Sequence, residues 1–463
     1  MPNSENPLYS QAEYVLKELA DLEARLRAAG RGGDADEALR AREAARAELE
    51  REWGGVPPFD IVYYSSDPAV SSLQSELKEM LGEASDGAVR STISEETFAA
   101  PEGAAARSTT RGGGLSGLIG ALKKVREAVI DRADEPPAEA PPVAQAIGNR
   151  VRVALVGDWA AKTDGSRNVA ARIAALRPDH VVHLGDVYPT GEQREIDEFF
   201  IRRWAPFLLR VGNSTAAGPG GVRRWAAGGQ VRFWAIPGNH EQYARGLVPP
   251  YYQGQGVLGW CSQPASYFAL QNDRWKLIAL DTGWKDHDLT RRQVEWLRGE
   301  LDGAGSRRVI LLTHHQLFSL FDDRPAREGG GLRASWERVY DPTRHDVAGW
   351  FAGHEHNVVL YEPGTGKAPF PVRSIGHGGR DIALRNGTFA QDAVPAAHRA
   401  EYARAFELPA PIRTKTVDGR LLAQNGFALL SFDDEALTIR YLGEGEAPGE
   451  FGDVWLTEAW RAA

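Results

Sequence analysis

The period of the hydrophobic positions changes partway along the chain, and the change separates two kinds of sequence. Over residues 10–53 apolar side chains recur at helical spacing. Val15, Leu19, Leu22 and Leu26 follow a capping box of Ser10 and Glu13. After Gly30, Gly32 and Gly33, a second box at Asp34 and Glu37 leads to Leu39, Leu49 and Trp53. The pattern predicts a helical hairpin. Residues 59–64 read as a strand, and Val70, Leu73, Leu77 and Leu81 predict an amphipathic helix. Small polar residues from Gly82 to Gly114 predict a loop or partial disorder, and Leu118, Leu122, Val125 and Val129 one more helix. Pro136, Pro137, Pro141 and Pro142 make a semi-rigid linker. The expected division is a mainly helical region over 1–135 (hairpin 10–53, then a small α/β or partly disordered part over 58–135), a linker over 136–148 and a second domain over 149–463.

Beyond the linker the pattern becomes strand, loop, helix, repeated. Strands are predicted at 151–156, 181–184, 231–236, 275–280, 309–312 and 347–351, with helices at 169–176, 195–204 and 289–301. Four later strands, 358–361, 372–375, 427–432 and 437–441, lack helices between them and suggest added antiparallel pairing. Residues 385–424, rich in Ala, Arg and Pro, read as an insertion, with a lid as one reading of it. The fold class is therefore α/β.

Five of these strands end in metal-ligating residue types. VRVALVGD runs into Asp158, VVHLGD into Asp186, VRFWAIPGNHE into Asn239 and His240, VILLTHH into His314 and His315, and VAGWFAGHEH into His354 and His356. Carboxylate, imidazole and amide oxygen together suit hard and borderline divalent cations. Two such ions ~3.5–4 Å apart need a bridging ligand and make hydroxide available near neutral pH. A carboxylate has two oxygens, so Asp158 or Asp186 is the candidate bridge. His240 is free to protonate a leaving oxygen if the neighbouring amide is the ligand.

The Gly-Asp pairs at Asp158 and Asp186, GNHE at 238–241, His314 and GHEH at 353–356 resemble the motif series of the calcineurin-like metallophosphoesterases. The resemblance implies a four-layer α/β/β/α sandwich, two metal ions (Mn, Fe or Zn, divalent or mixed-valence) and hydrolysis of phosphate monoesters or small diesters by a metal-bound hydroxide. Carried over position by position, it implies that Asp158 and His356 bind the first metal and that Asp186 bridges. Asn239, His314 and His354 then bind the second, and His240 is the catalytic histidine. Most of the family reads Asp-x-His in the first motif, whereas this chain has Asp158-Trp159-Ala160 and lacks that ligand. Purple acid phosphatases are the more similar branch there, and they supply a tyrosine three residues after the bridging Asp. Here that position is Pro189, and Tyr188, one residue earlier, is the candidate replacement.

Other residues carry less. His315 is expected to be second to His314 or to face substrate, and His183 to be a satisfied core histidine. His287 and His377 are placed either at the pocket or at the surface. Arg167, Arg245 and Arg380 are candidate phosphate partners, each also readable as a surface charge. Trp159 is expected to form a pocket wall. Acidic residues outnumber basic ones, 63 against 54, for a net charge of −9, and no basic, aromatic-rich tract is present. That argues against a nucleic-acid track. A nuclease-type phosphodiesterase and a weakly active metal-binding sensor are the alternative readings. The single Cys261 fits a reducing compartment, and with no signal peptide or apolar stretch of ~20 residues the expectation is a cytoplasmic protein off the membrane. The expected partner is a small phosphate ester; self-association through the amino-terminal helices stays open.

Overall fold

The computed structural model describes residues 140–209, 221–244, 248–285, 287–319, 331–380, 406–407, 414–417, 420–444 and 454–462, besides Arg27 and Pro136. The expected hairpin, the 59–64 strand, the helices of 70–81 and 115–130, Arg245 and most of the 385–424 insertion lie outside them. The chain divides into two compact units, Met1–Arg132 and Ala133–Ala463. Every strand below belongs to the second.

In chain order the strands are β1 (Ala144–Ala146), β2 (Arg150–Val156), β3 (His180–His183), β4 (Arg223–Arg224), β5 (Gln230–Ala235), β6 (Phe268–Gln271), β7 (Trp275–Leu280), β8 (Arg308–Thr313) and β9 (Val347–Ala352). After them come β10 (Val358–Tyr361), β11 (Val372–Ile375), β12 (Phe406–Glu407), β13 (Thr414–Val417), β14 (Arg420–Ala423), β15 (Gly426–Asp433), β16 (Ala436–Gly443) and β17 (Val454–Arg461). One sheet runs β1-β6-β7-β8-β9-β11-β10-β12 and the other β17-β16-β15-β2-β3-β5-β4, with β13 and β14 paired apart.

Period-two alternation sorts the strand residues into layers. Val153 and Leu155 of β2 meet Ile310 and Leu312 of β8 and Leu430 of β15 in one core between the sheets. The alternate residues Ala154 and Val156 face outward onto Val169 and Ile173 of helix α1 (Asp164–Leu176). On the far side Val309 and Leu311 meet Leu297 and Leu301 of α2 (Arg291–Asp302) and Trp336 of α3 (Leu332–Glu337). The result is the α/β/β/α sandwich that the motif resemblance implied. Both long helices start on a threonine cap: Thr163 accepts from the Ser166 N–H and Thr290 from the Gln293 N–H. Among the described residues no helix is long and apolar enough to cross a membrane.

Strands β2, β3 and β5 run parallel in one sheet, and β7, β8, β9 and β11 in the other. In each set the carboxyl ends therefore lie on one edge, which is where the polar residues of the motifs begin.

Some strands had little sequence signal. β6 is a four-residue run, and β17 is an edge strand whose residues alternate only weakly between exposed and half-buried. Besides its pairing with β16 and the packing of Trp455 and Trp460 on the core, β17 is held by a polar network. Glu458 accepts from Arg373 Nε at 3.0 Å and Nη2 at 2.6 Å, and from the Tyr441 hydroxyl at 2.6 Å. Arg373 belongs to β11, so this ion pair joins the two sheets. Burial alone would raise the Glu458 carboxyl, but the Arg373 bonds outweigh it and hold it below its ordinary range. Its contribution to stability is therefore present above the ordinary carboxylate range and is lost as pH falls through the lowered pKa. Glu458→Gln should destabilise the domain by roughly 3 kcal/mol at neutral pH, because it leaves the buried Arg373 unpaired. Denaturant melts at neutral and acid pH should show that deficit narrowing on acidification.

Candidate metal centre

The polar strand ends converge. Asp158 follows β2, Asp186 follows β3, Asn239 and His240 follow β5, His314 follows β8, and His354 and His356 follow β9. The backbone bends sharply to present them. Asp158, Asp186 and His354 all have left-handed φ, at 56°, 75° and 65°. A non-glycine residue in that region costs about 1–3 kcal/mol, and such strain clusters at functional sites. Glycine is required next to it. A Cβ on Gly238 would clash with Asp186 Oδ1, and one on Gly185, where φ is 104°, would lie 2.6 Å from His314 Nδ1.

Two groups of donors meet across the aspartates. On one side the Tyr188 hydroxyl donates to Asp158 Oδ1 at 3.0 Å and lies 2.9 Å from His356 Nε2, which is itself 3.3 Å from Asp158 Oδ1. On the other side Asn239 Oδ1 is 3.0 Å from both His314 Nε2 and His354 Nδ1, and His314 Nε2 is 3.3 Å from Asp186 Oδ1. All seven metal-ligand candidates are thus brought together, Tyr188 included. Tyr188 reaches the site although Pro189 occupies the expected tyrosine position.

The arrangement fits cations. Asn239 Nδ2 donates to the Tyr243 hydroxyl at 2.6 Å, which fixes Oδ1 toward the imidazoles. His314 Nδ1 lies 2.9 Å from the Leu184 carbonyl and must donate to it, so Nε2 offers a lone pair unless the ring is charged. Lone pairs facing one another in a buried site call for a positive charge between them. The electrostatics agree. Burial would lower the His314 imidazole, but Asp186, Asp158 and Glu241 hold it raised. Burial pushes the Asp158 carboxyl up. Burial, and then Asp158 and Asp186, push the Tyr188 phenol well above its ordinary range. The His314 shift records the carboxylates around it, while the Asp158 and Tyr188 shifts come first from burial.

His240 stands beside the aspartates. Its Nδ1 donates to the Pro189 carbonyl at 2.6 Å, leaving Nε2 facing Asp186 Oδ2 at 3.8 Å. Burial lowers its pKa to about 4 despite Asp186, so the ring is neutral near pH 7. Glu241 is the residue whose importance the motif did not convey. Its carboxylate accepts the N–H groups of Asp186 at 3.1 Å, Val187 at 3.0 Å and Gly238 at 2.8 Å, tying the two ligand loops together. Three convergent backbone donors cannot be read from a sequence.

The remaining expectations divide. Arg380 is at the site, with Nη1 donating to His356 Nδ1 at 2.6 Å. Arg167 is not: it pairs with Asp164 on the exposed side of α1. Trp159 is not a pocket wall but a core residue. It packs 4.6 Å from Trp204 and donates to the Ser166 carbonyl, because the residue after Asp158 points away from the site toward the helices. His183 is in the core, edge-on to Trp159, but it is not satisfied. Among the described residues neither ring nitrogen has a hydrogen-bond partner, and burial lowers its pKa to about 3. His377 is neither at the surface nor aimed at solvent; it is buried 5.4 Å from Trp455. His315 lies behind His314, 3.0 Å from Thr282 Oγ1, and His287 stacks on it at the exposed edge. Cys261 is buried beside Arg223, with its thiol pushed up to about 12, which fits an inert core residue.

Solved structures similar to the chain include three of low sequence identity. GAP50, the anchor in the inner membrane complex of Plasmodium, is a similar solved structure, 12% identical over 68% of this chain and 89% of that one, with a TM-score of 0.45. PhoD is 11% identical over 71% of each chain, with a TM-score of 0.41. Vps29 from Entamoeba histolytica, complexed with zinc, is 11% identical over 67% of this chain and 99% of that one, with a TM-score of 0.27. No curated protein matches the chain. The calcineurin-like phosphoesterase family model matches residues 151–358, a stretch that holds every candidate ligand. Residues 151–358 are a calcineurin-like phosphoesterase domain.

Proposed function

We propose that this protein hydrolyses phosphate monoesters or small diesters with two metal ions held on either side of Asp186. The observation that supports this most is the split of the donors into two sets, Asp158, Tyr188 and His356 against Asn239, His314 and His354, with an Asp186 oxygen 3.3 Å from His314. Mn²⁺, Fe²⁺, Fe³⁺ and Zn²⁺ all suit such oxygen and imidazole donors. When bound, the ions supply Lewis acidity and an activated water near neutral pH.

The chain's own residues do the rest. Tyr188 takes the place of the histidine that Ala160 lacks. Glu241 fixes the loops that carry Asp186 and Asn239. A ligand role for His356 Nε2 puts the ring proton on Nδ1, where Arg380 now donates. The guanidinium is then free to pair bidentately with a phosphate. His240, neutral and buried, would take up a proton from water at Nε2 once a phosphate's negative charge lies beside it, and deliver that proton to the leaving oxygen.

Full-length protein stripped with chelator should lose hydrolysis of an aryl phosphate. It should regain it with Mn²⁺, Fe²⁺ or Zn²⁺ only as the second ion per chain binds. Undiminished hydrolysis by the metal-free protein would overturn the proposal. Monoesters and diesters compared on the reloaded protein would fix the substrate class.

A further inference from the structure

Beside the centre described above lies a second cluster of imidazoles. His287, His315 and His354 each offer a ligand atom, and these atoms lie within 4.8 Å of one another. The rings of His287 and His315 are 3.7 Å apart between centroids, His315 and His354 4.6 Å, and His287 and His354 5.1 Å. From these three residues we propose a further cation site, specific for a borderline transition metal of the zinc class and separate from the ions on Asp186.

Four observations support it. Three imidazoles with no carboxylate select zinc, cobalt or nickel over magnesium, calcium or manganese. His315 Nδ1 sits 3.0 Å from Thr282 Oγ1, and its Nε2, fully buried, has no hydrogen-bond partner among the described residues. An orphaned buried nitrogen among other imidazoles has the arrangement of a ligand whose second nitrogen is fixed by an outer partner. The third is that the loop presenting His287 is held in advance. Asp281 Oδ1 accepts from the Gly283 and Trp284 N–H groups, the His287 N–H donates to the Thr282 carbonyl, and Asp288 accepts from the Ser335 hydroxyl. His287 itself is in the left-handed region at φ 72°, a conformation that local structure must impose. Finally, burial runs from exposed at His287 to buried at His315, which leaves a path for an ion to enter and an open position for water or a substrate atom. His354 is common to both clusters. Its Nδ1 faces Asn239 and His314, so serving both would require the other nitrogen to release its proton to solvent as zinc binds.

The test is the zinc content of full-length protein, equilibrated with micromolar free zinc and desalted. His287→Asn is the informative variant, since Asn tolerates left-handed φ and the side chain is exposed, so the fold is kept. It should bind one zinc fewer per chain, and His315→Gln should lose the same ion, with no further loss in the double variant. In an Asp186→Asn background the His287-dependent ion should remain. That separates failure of this site from failure of the two-ion proposal. An unchanged zinc count in His287→Asn, or loss of the His287-dependent ion with Asp186→Asn alone, would overturn the inference.

Discussion

Asp186→Asn is expected to reduce phosphate-ester hydrolysis by ~10³-fold or more, equivalent to at least about 4 kcal/mol of transition-state stabilisation. Ligand atoms of Asp186, Asp158 and His314 lie within 4.8 Å of one another, with Asp186 Oδ1 3.3 Å from His314 Nε2 and Oδ2 3.8 Å from His240 Nε2. Asp186 also accepts the His240 N–H at 3.1 Å. An amide keeps the shape but loses the negative charge, and one of its ends becomes a donor. Both cation seats should weaken together. Metal content and turnover of the variant check this: near-normal hydrolysis with both ions kept would remove Asp186 from the account.

His240→Ala should have a different signature. It should slow turnover by ~10²–10⁴-fold on esters with poor leaving groups, the usual worth of a positioned acid. Metal content should change little, because Nδ1 is taken up by the Pro189 carbonyl and Nε2 stands 3.8 Å from Asp186 Oδ2. A nitrophenyl ester, whose leaving group needs no proton, should be affected far less than an alkyl phosphate. Asn239→Ala should do the reverse and lower metal occupancy. Equal slowing of both esters by His240→Ala would make His240 a general electrostatic group rather than the leaving-group acid.

Much of this centre was legible in the sequence because its residues sit at strand ends. A short apolar run that stops at Gly-Asp or at Asn-His places the polar side chain at a sheet edge, and parallel strands put those edges together. The same logic misplaced Trp159, since a residue one step along a turn can face either layer. Tyr188 was legible as a candidate but not as a contact. Its reach to Asp158 and His356 depends on the backbone between Asp186 and Pro189, which no spacing rule describes. The roles of Glu241 and Arg380 were hidden for another reason. Glu241 acts on backbone N–H groups from two loops, and Arg380 meets His356 across 24 residues of chain. The β17 strand was hidden because its inward side chains mix Trp455 and Trp460 with Glu458, which is bonded to Arg373, and so break a plain hydrophobic alternation.

The central claim is that Asp186 is shared by two cations, and anomalous diffraction at the metal edge from crystals of the loaded protein tests it most directly. Two peaks are predicted beside Asp186, one among Asp158, Tyr188 and His356 and the other among Asn239, His314 and His354. A single peak there, or none with the metal bound elsewhere, would contradict the account.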